Sequence, residues 1–115
     1  MGRIISVHEY ALAQGVTGER FESAVLRARE QGLLYLAGLS DHRFLRGIRG
    51  ASRGSYGALW VYESKESWER LWGPADSPID KSEYPVQWRI WEDEVLSPLL
   101  ADDPDRIRFS AYEEF

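Results

Sequence analysis

The sequence predicts an α+β protein in which one four-stranded antiparallel sheet carries helices on one face. Strand and helix patterns follow one another in the order β-α-β-β-α-(α)-β. Two of the strand patterns flank a glycine-containing loop, as the strands of a hairpin do. Right-handed crossovers then give the split βαβ arrangement, with the first and third strands paired at the centre. A chain of 115 residues supports one core, so we expect a single domain over residues 1–115.

The first part of the chain predicts a strand and then an amphipathic helix. Residues 3–12 alternate and are rich in β-branched and aromatic side chains. Thr17 is a suitable N-cap for a helix over 18–31, and Gly32 stands where a C-capping glycine is expected. The apolar stripe of this helix is Phe21, Ala24, Val25 and Ala28. Residues 33–41 are hydrophobic and fit either a short strand or an extended loop.

The rest of the chain predicts a hairpin, two helices and a closing strand. The predicted elements are strands over 43–49, 56–63 and 107–115 and helices over 65–72 and 85–100. Ser64 caps the first of these helices, and Gly73 followed by Pro74 stops it. Pro85 suits the first turn of the second helix, and Pro98 is expected to kink or end it.

Composition favours a soluble globular protein of a reducing compartment. Hydrophobic residues make up 43% and charged residues 29% of the chain, and cysteine is absent. No apolar run approaches the roughly 20 residues of a membrane span, and His8 and Glu9 interrupt the N-terminus before an export signal could form. We therefore expect a cytoplasmic protein that binds no membrane. A net charge of −5 argues against nucleic-acid binding, although residues 41–54 contain four arginines.

The stretch SYGALWVYES carries large aromatic side chains at alternate positions of a predicted strand. If the aliphatic side chains of the central strands lie under the helices, the aromatic ones point to the opposite face. The aliphatic set is Ile5, Val7, Leu59 and Val61. The aromatic set is His8, Tyr10, Tyr56, Trp60, Tyr62 and Tyr112. Such a face is too apolar to remain in water, so we expect a second copy of the chain to cover it in a homodimer.

These patterns resemble the dimeric α+β barrel superfamily, and in particular its antibiotic-biosynthesis monooxygenase-like group. The resemblance is carried by ISVHEY, by RGIRGASRGSYGALWVYES with the helix that follows it and ends LWG, and by IRFSAYEEF. It implies a ferredoxin-like fold and a dimer in which two sheets face each other around a barrel. It also implies a pocket in each protomer, between sheet and helices or within the barrel. Members include cofactor-free oxygenases of aromatic or polyketide substrates, haem-degrading enzymes, isomerases and proteins without known activity.

His8 is the candidate catalytic residue, because it lies mid-strand among the aromatic side chains. It would act as a general base towards a phenol or enol before reaction with oxygen, or else serve as a structural hydrogen-bonding group at the dimer interface. His42, in a turn beside Asp41, is expected to be solvated. Arg46 is a candidate anion clamp, although either Arg46 or Arg49 could face inwards. The predicted substrate-binding residues are Tyr10, Arg46, Tyr56, Trp60, Tyr62, Trp88 and Tyr112.

The sequence predicts no metal or cofactor. The acidic runs at 92–94 and 102–105 are expected on an exposed helix face and in a turn, and their spacing predicts no converging ligands. A cysteine–histidine cluster, a phosphate-binding glycine loop and a nucleophile elbow are all absent. Together with the resemblance, these observations favour a small cofactor-independent monooxygenase-like enzyme acting on an aromatic or enolic molecule. The alternative is a non-catalytic ligand-binding or structural homodimer module that uses the same side chains for packing.

Overall fold

A computed structural model describes residues 2–115 and contains one four-stranded sheet with helices on one face. Its strands are β1 (Ile4–Tyr10), β2 (Leu39–Arg46), β3 (Tyr56–Tyr62) and β4 (Phe109–Glu113). Its α-helices are α1 (Gly18–Glu30), α2 (Lys65–Trp72) and α3 (Val86–Ile90). The strands are antiparallel neighbours in the order β2-β3-β1-β4. The predicted split βαβ fold, with β1 and β3 at the centre, is confirmed.

The helix ends follow the capping residues read from the sequence. The Thr17 hydroxyl accepts a hydrogen bond from the backbone N–H of Arg20 at 3.1 Å, and Ser64 accepts one from the N–H of Ser67 at 3.0 Å. Gly73 ends α2 with a φ of 85°, which favours glycine. Within residues 2–115, no helix combines the length and the apolar composition needed to cross a bilayer.

The third helix is shorter than predicted and changes its winding. After Ile90 it continues as a π-helical segment over Trp91–Leu96, in which the N–H of Ser97 donates to the Glu92 carbonyl at 3.0 Å. Two successive side chains at its start, Trp91 and Glu92, are buried. Such wide turns are frequent at functional sites.

The helices cover the aromatic face of the sheet, so the prediction that this face is bare was wrong. Trp60 is 0% and Tyr10 is 1% exposed. The ring of Phe21 in α1 lies 5.9 Å from that of Tyr10, and the ring of Trp88 in α3 lies 5.0 Å from that of Trp60. Large rings bury more apolar area than aliphatic side chains do, and they fill the space between one sheet and its helices.

The opposite side, which we call the open face, carries mainly the aliphatic set. Its apolar side chains are exposed or half-buried, except Val61, which is 7% exposed. Tyr112 pairs with Ile5 across β1 and β4 and is 60% exposed, so its predicted place among the aromatic set is also wrong. The apolar side chains of the open face are Ile5, Val7, Leu45, Leu59, Val61 and Tyr112. Asp41 and Arg43, which form an ion pair and lie opposite Val61 and Leu59, belong to the same face.

Candidate functional site

A cavity of about 540 Å³ lies between the helix-covered face of the sheet and the segments that contain α2 and α3. This volume is within the range of small-molecule sites. Its floor includes Ser6, His8, Tyr62 and Phe109, and its aromatic walls are Trp68, Trp72, Tyr84 and Trp88. Three charged residues, Lys81, Glu92 and Asp105, also line it. We call it the His8 cavity.

The loop between α2 and α3 forms one wall of the His8 cavity because it folds back on the end of α2. The N–H of Ile79 donates to the Trp72 carbonyl at 3.0 Å. A Cβ at Gly73 would lie 2.7 Å from the Ile79 nitrogen, so the close approach of the loop requires glycine. The ring of Trp72 then packs 5.0 Å from Tyr84 and 5.4 Å from Trp88.

His8 is held in one tautomer by the residues behind it. The Trp60 indole Nε1–H donates to His8 Nδ1 at 3.2 Å, and the Tyr10 hydroxyl lies 3.3 Å from the same nitrogen. An indole nitrogen can only donate, so Nδ1 carries the lone pair and Nε2 carries the proton. Burial lowers the pKa of His8 to about 4, so the ring is neutral at neutral pH. His8 therefore presents a hydrogen-bond donor, and its one basic lone pair is already engaged by Trp60.

The predicted wall residues divide into those that line the His8 cavity and those that support it. Tyr62 and Trp88 line it together with His8. Tyr10 and Trp60 lie behind His8 and hold its ring, and do not line the cavity. Burial raises the pKa of both Tyr10 and Tyr62, so their phenol groups stay neutral.

Three predicted site residues lie elsewhere. The Arg46 guanidinium projects from the helix-covered face towards α1, where Nη2 lies 2.8 Å from Glu22 Oε2. The Tyr56 hydroxyl donates to the same carboxylate oxygen at 2.5 Å. Tyr112 lies on the open face. None of the three lines the His8 cavity, so the structure does not bring them together with His8.

Glu92 is one of the cavity residues that sequence reasoning missed, because the run 92–94 was expected to be exposed. Its side chain is buried, and its Oε1 accepts no hydrogen bond. Burial raises the pKa of Glu92 to about 7; the nearby ammonium of Lys81 opposes this effect and the charge of Asp105 adds to it. One signal was available: Glu92 follows Trp88 by four residues, which places both on one side of a helix.

Lys81 forms ion pairs with the carboxylates at this end of the cavity. Its Nζ lies 2.8 Å from an oxygen of Asp93, 2.8 Å from one of Asp105 and 3.6 Å from Glu92 Oε1. Burial alone would lower the pKa of Lys81, but the hydrogen bonds to Asp105 and Asp93 and the charge of Glu92 raise it overall. The Lys81 side chain therefore stays protonated and positively charged at neutral pH. Within residues 2–115 no group of three or more His, Asp or Glu side chains is arranged to hold a metal ion.

His42 is not the solvated side chain that was predicted. Its ring is half-buried and stacks on Trp60, with the ring centroids 5.5 Å apart. Arg29 Nε donates to His42 Nε2 at 3.2 Å. Because β2 begins at Leu39, His42 belongs to a strand and faces the helices.

No known protein-family profile and no curated protein sequence matches this chain. Solved structures do match it over nearly its whole length. A protein of Bordetella bronchiseptica with the provisional name antibiotic biosynthesis monooxygenase has a TM-score of 0.66 at 14% identity, covering 100% of this chain and 99% of that one. SnoaB, a cofactor-independent oxygenase of Streptomyces nogalater, has a TM-score of 0.59 at 15% identity, covering 100% and 95%.

A dimeric ferredoxin-like protein of unknown function from Thermobifida fusca has a TM-score of 0.58 at 11% identity, covering 98% of this chain and 92% of that one. Identities this low establish the fold and leave the activity open. The chain thus has a ferredoxin-like fold, as the sequence resemblance implied.

Proposed function

We propose that the protein is a small cofactor-independent monooxygenase-like enzyme that acts on an aromatic or enolic molecule bound in the His8 cavity. The observation that carries the proposal is a cavity of about 540 Å³ with aromatic walls beside a neutral, oriented imidazole. Flat rings suit walls made of Trp68, Trp72 and Trp88, because aromatic pairs are favourable in stacked and edge-to-face contacts. The fold likeness to a protein named as a cofactor-independent oxygenase supports it.

The proposed reaction uses dioxygen as the oxidant and the substrate as the only reductant. Loss of a hydroxyl proton makes the substrate electron-rich, and a ring or enolic carbon that bears hydrogen then adds dioxygen. Protonation of the peroxide and loss of water leave a carbonyl at that carbon, so one oxygen atom is retained and the other leaves as water. The Nε2–H of His8 would stabilise the substrate oxyanion by a hydrogen bond, the kind of contribution made by an oxyanion hole.

Replacement of His8 by phenylalanine is expected to lower kcat/KM by roughly 100-fold, because the donor to the oxyanion is lost while the ring volume is kept. The measurement is oxygen uptake with a panel of hydroquinones and naphthols. Tyr35→Phe is the control, since Tyr35 is 72% exposed and does not line the cavity, and it should keep wild-type activity. An absence of oxygen uptake with every member of the panel would overturn the enzymatic proposal.

A non-catalytic ligand-binding module is the second candidate, because the same cavity would hold a ligand without reaction. The two candidates differ in one measurement. Saturable binding of aromatic ligands without any oxygen uptake would favour the binding module, whereas turnover would favour the enzyme.

We further propose that two copies of the chain associate through the open face. This face leaves Tyr112 60% and Leu45 46% exposed, and an apolar sheet face of this kind is typically covered by a partner. A two-fold axis lets one patch cover itself on a second copy. A structure with the same fold is described as dimeric, which supports this assembly. A second copy of the chain thus remains the proposed partner. The surface proposed for the contact is now the aliphatic side of the sheet and not the aromatic side.

Leu59→Lys is expected to convert the dimer into a monomer. Leu59 lies on the open face opposite Val7, so the substitution would place a charge from each protomer in an apolar interface. Sedimentation velocity over a range of concentrations measures the result. Leu26→Lys, which alters a 54% exposed residue of α1, should leave the dimer intact. A wild-type protein that sediments as a monomer at every concentration would contradict the proposed assembly.

A further inference from the structure

We infer that Glu92 is the proton acceptor for a substrate hydroxyl and that His8 donates a hydrogen bond to an oxygen of the same ligand. The inference rests on the proposed function and names the substrate class more closely. The ligand would be an aromatic molecule with an acidic hydroxyl near Glu92 and an acceptor oxygen, such as a carbonyl or oxyanion, near His8.

His8 itself is a poor proton acceptor in this site. Its lone pair at Nδ1 already receives the indole N–H of Trp60 at 3.2 Å. The other nitrogen carries a proton, and among residues 2–115 it makes no hydrogen bond, so it is free to donate to a ligand. A base must come from another residue that lines the cavity.

The other titratable residues of the cavity are unsuitable or already engaged. Tyr62 and Tyr84 are phenols whose pKa values burial raises, so they stay protonated. Lys81 is a fixed cation, and the carboxylate of Asp105 is bound to it at 2.8 Å. Glu92 differs, because its Oε1 is buried, accepts no hydrogen bond and lies 3.6 Å from Lys81 Nζ, beyond ordinary hydrogen-bond length.

The surroundings of Glu92 suit a group that takes up and returns a proton. The charged and titratable side chains around it come from several segments: Lys81, Asp93, Asp105, Tyr84 and Tyr10. Burial raises its pKa to about 7, so the carboxylate is present at neutral pH and is more basic than an exposed one. Buried acceptors without a partner are rare in folded proteins, so the Glu92 carboxylate lacks a hydrogen bond that a ligand hydroxyl on its cavity side would supply.

In the proposed reaction, Glu92 takes up one proton from the substrate and later returns it. The hydroxyl proton passes to the Glu92 carboxylate and the electron pair stays on the substrate, so the net charge of the cavity does not change. After dioxygen adds to the carbon, the same proton is returned to the outer peroxide oxygen. It leaves as water together with the hydrogen originally bound to that carbon. The remaining oxygen atom becomes the carbonyl, and Glu92 is again ionised.

The test measures binding without requiring turnover, using 2-naphthol and its methyl ether, 2-methoxynaphthalene, under argon. The naphthol hydroxyl stays protonated between about pH 5.5 and 8, where Glu92 ionises. Wild-type protein is expected to bind 2-naphthol about tenfold more tightly at the upper end of this range, because a hydrogen bond to a charged acceptor is stronger than one to a neutral group. The ether cannot donate, so its affinity should not rise.

Glu92→Gln should remove the pH dependence of naphthol binding, whereas Glu94→Gln, which alters an exposed neighbour, should retain it. A Glu92→Gln protein that still binds naphthol more tightly at high pH would overturn the inference, and so would an ether that shows the same rise. If neither probe binds, the proposed aromatic site fails and the inference fails with it. If the Glu92-dependent rise is seen but oxygen uptake is absent, the enzymatic proposal alone is overturned.

Discussion

Replacing Trp60 with alanine is expected to lower the free energy of unfolding by about 3–5 kcal/mol, the range typical of a fully buried tryptophan. Trp60 is 0% exposed and lies at the centre of the aromatic core. Its ring packs 5.6 Å from Phe44 and 5.0 Å from Trp88, which belong to β2 and α3. The substitution would therefore leave a cavity where a strand and a helix meet, and the surrounding rings could only partly close it.

Urea denaturation followed by circular dichroism measures this loss. Trp68→Ala is the matched control, because Trp68 lines the His8 cavity and is only partly buried. Its replacement should cost about 1–2 kcal/mol, since much less buried apolar area is removed. Equal losses for the two variants would show that the core does not centre on Trp60.

The order of the elements and several of their boundaries were predictable because the signals are local. Thr17, Ser64 and Gly73 mark helix ends through their own hydroxyl groups or backbone conformation, with no need of distant partners. The sheet order followed from connectivity rules applied to those elements. The π-helical segment after Ile90 was not predictable in this way, because the sequence has no local signal for a wide turn.

The side of the sheet that faces the helices was predicted wrongly because both faces of β3 are apolar. Leu59 and Val61 on one face and Trp60 and Tyr62 on the other satisfy the alternation rule equally well. The choice depends on what the helices present. Phe21 and Trp88 meet the aromatic face with rings of matching size, and this is tertiary information that the strand pattern does not contain.

The candidate site, too, was predictable only where its signals are local to the sequence. His8 was singled out from its position in a strand, and it does line a cavity. Its role as a base could not be judged from the sequence, because that depends on the Trp60 hydrogen bond formed between paired strands. Lys81 reaches the cavity from a short 3-10 turn between α2 and α3 and meets Asp105 across 24 positions of the chain, a contact that no spacing rule predicts.

The stability of the protein should depend on pH through Glu92. Burial raises the pKa of Glu92 from an ordinary value of 4.5 to about 7. Between these two pH values the folded protein holds a proton that the unfolded chain has released. The stabilisation that comes from this group is therefore complete below pH 4.5 and is lost as the pH rises through about 7. The pKa difference corresponds to an upper bound of about 3 kcal/mol, and screening by water in the cavity reduces the expected loss to about 2 kcal/mol.

Glu92→Gln is consequently expected to stabilise the protein at high pH. Glutamine has nearly the same volume and stays uncharged, so the variant should match the wild type at about pH 5 and exceed its free energy of unfolding by about 2 kcal/mol at about pH 8.5. Urea denaturation at both pH values measures the difference, with Glu94→Gln as the exposed control that should follow the wild type. If the variant is equally stable or less stable than the wild type at high pH, burial does not destabilise the ionised Glu92 carboxylate. The proton-acceptor role of Glu92 would then lose its physical basis, because a base that is not destabilised by burial has no reason to hold a proton near neutral pH.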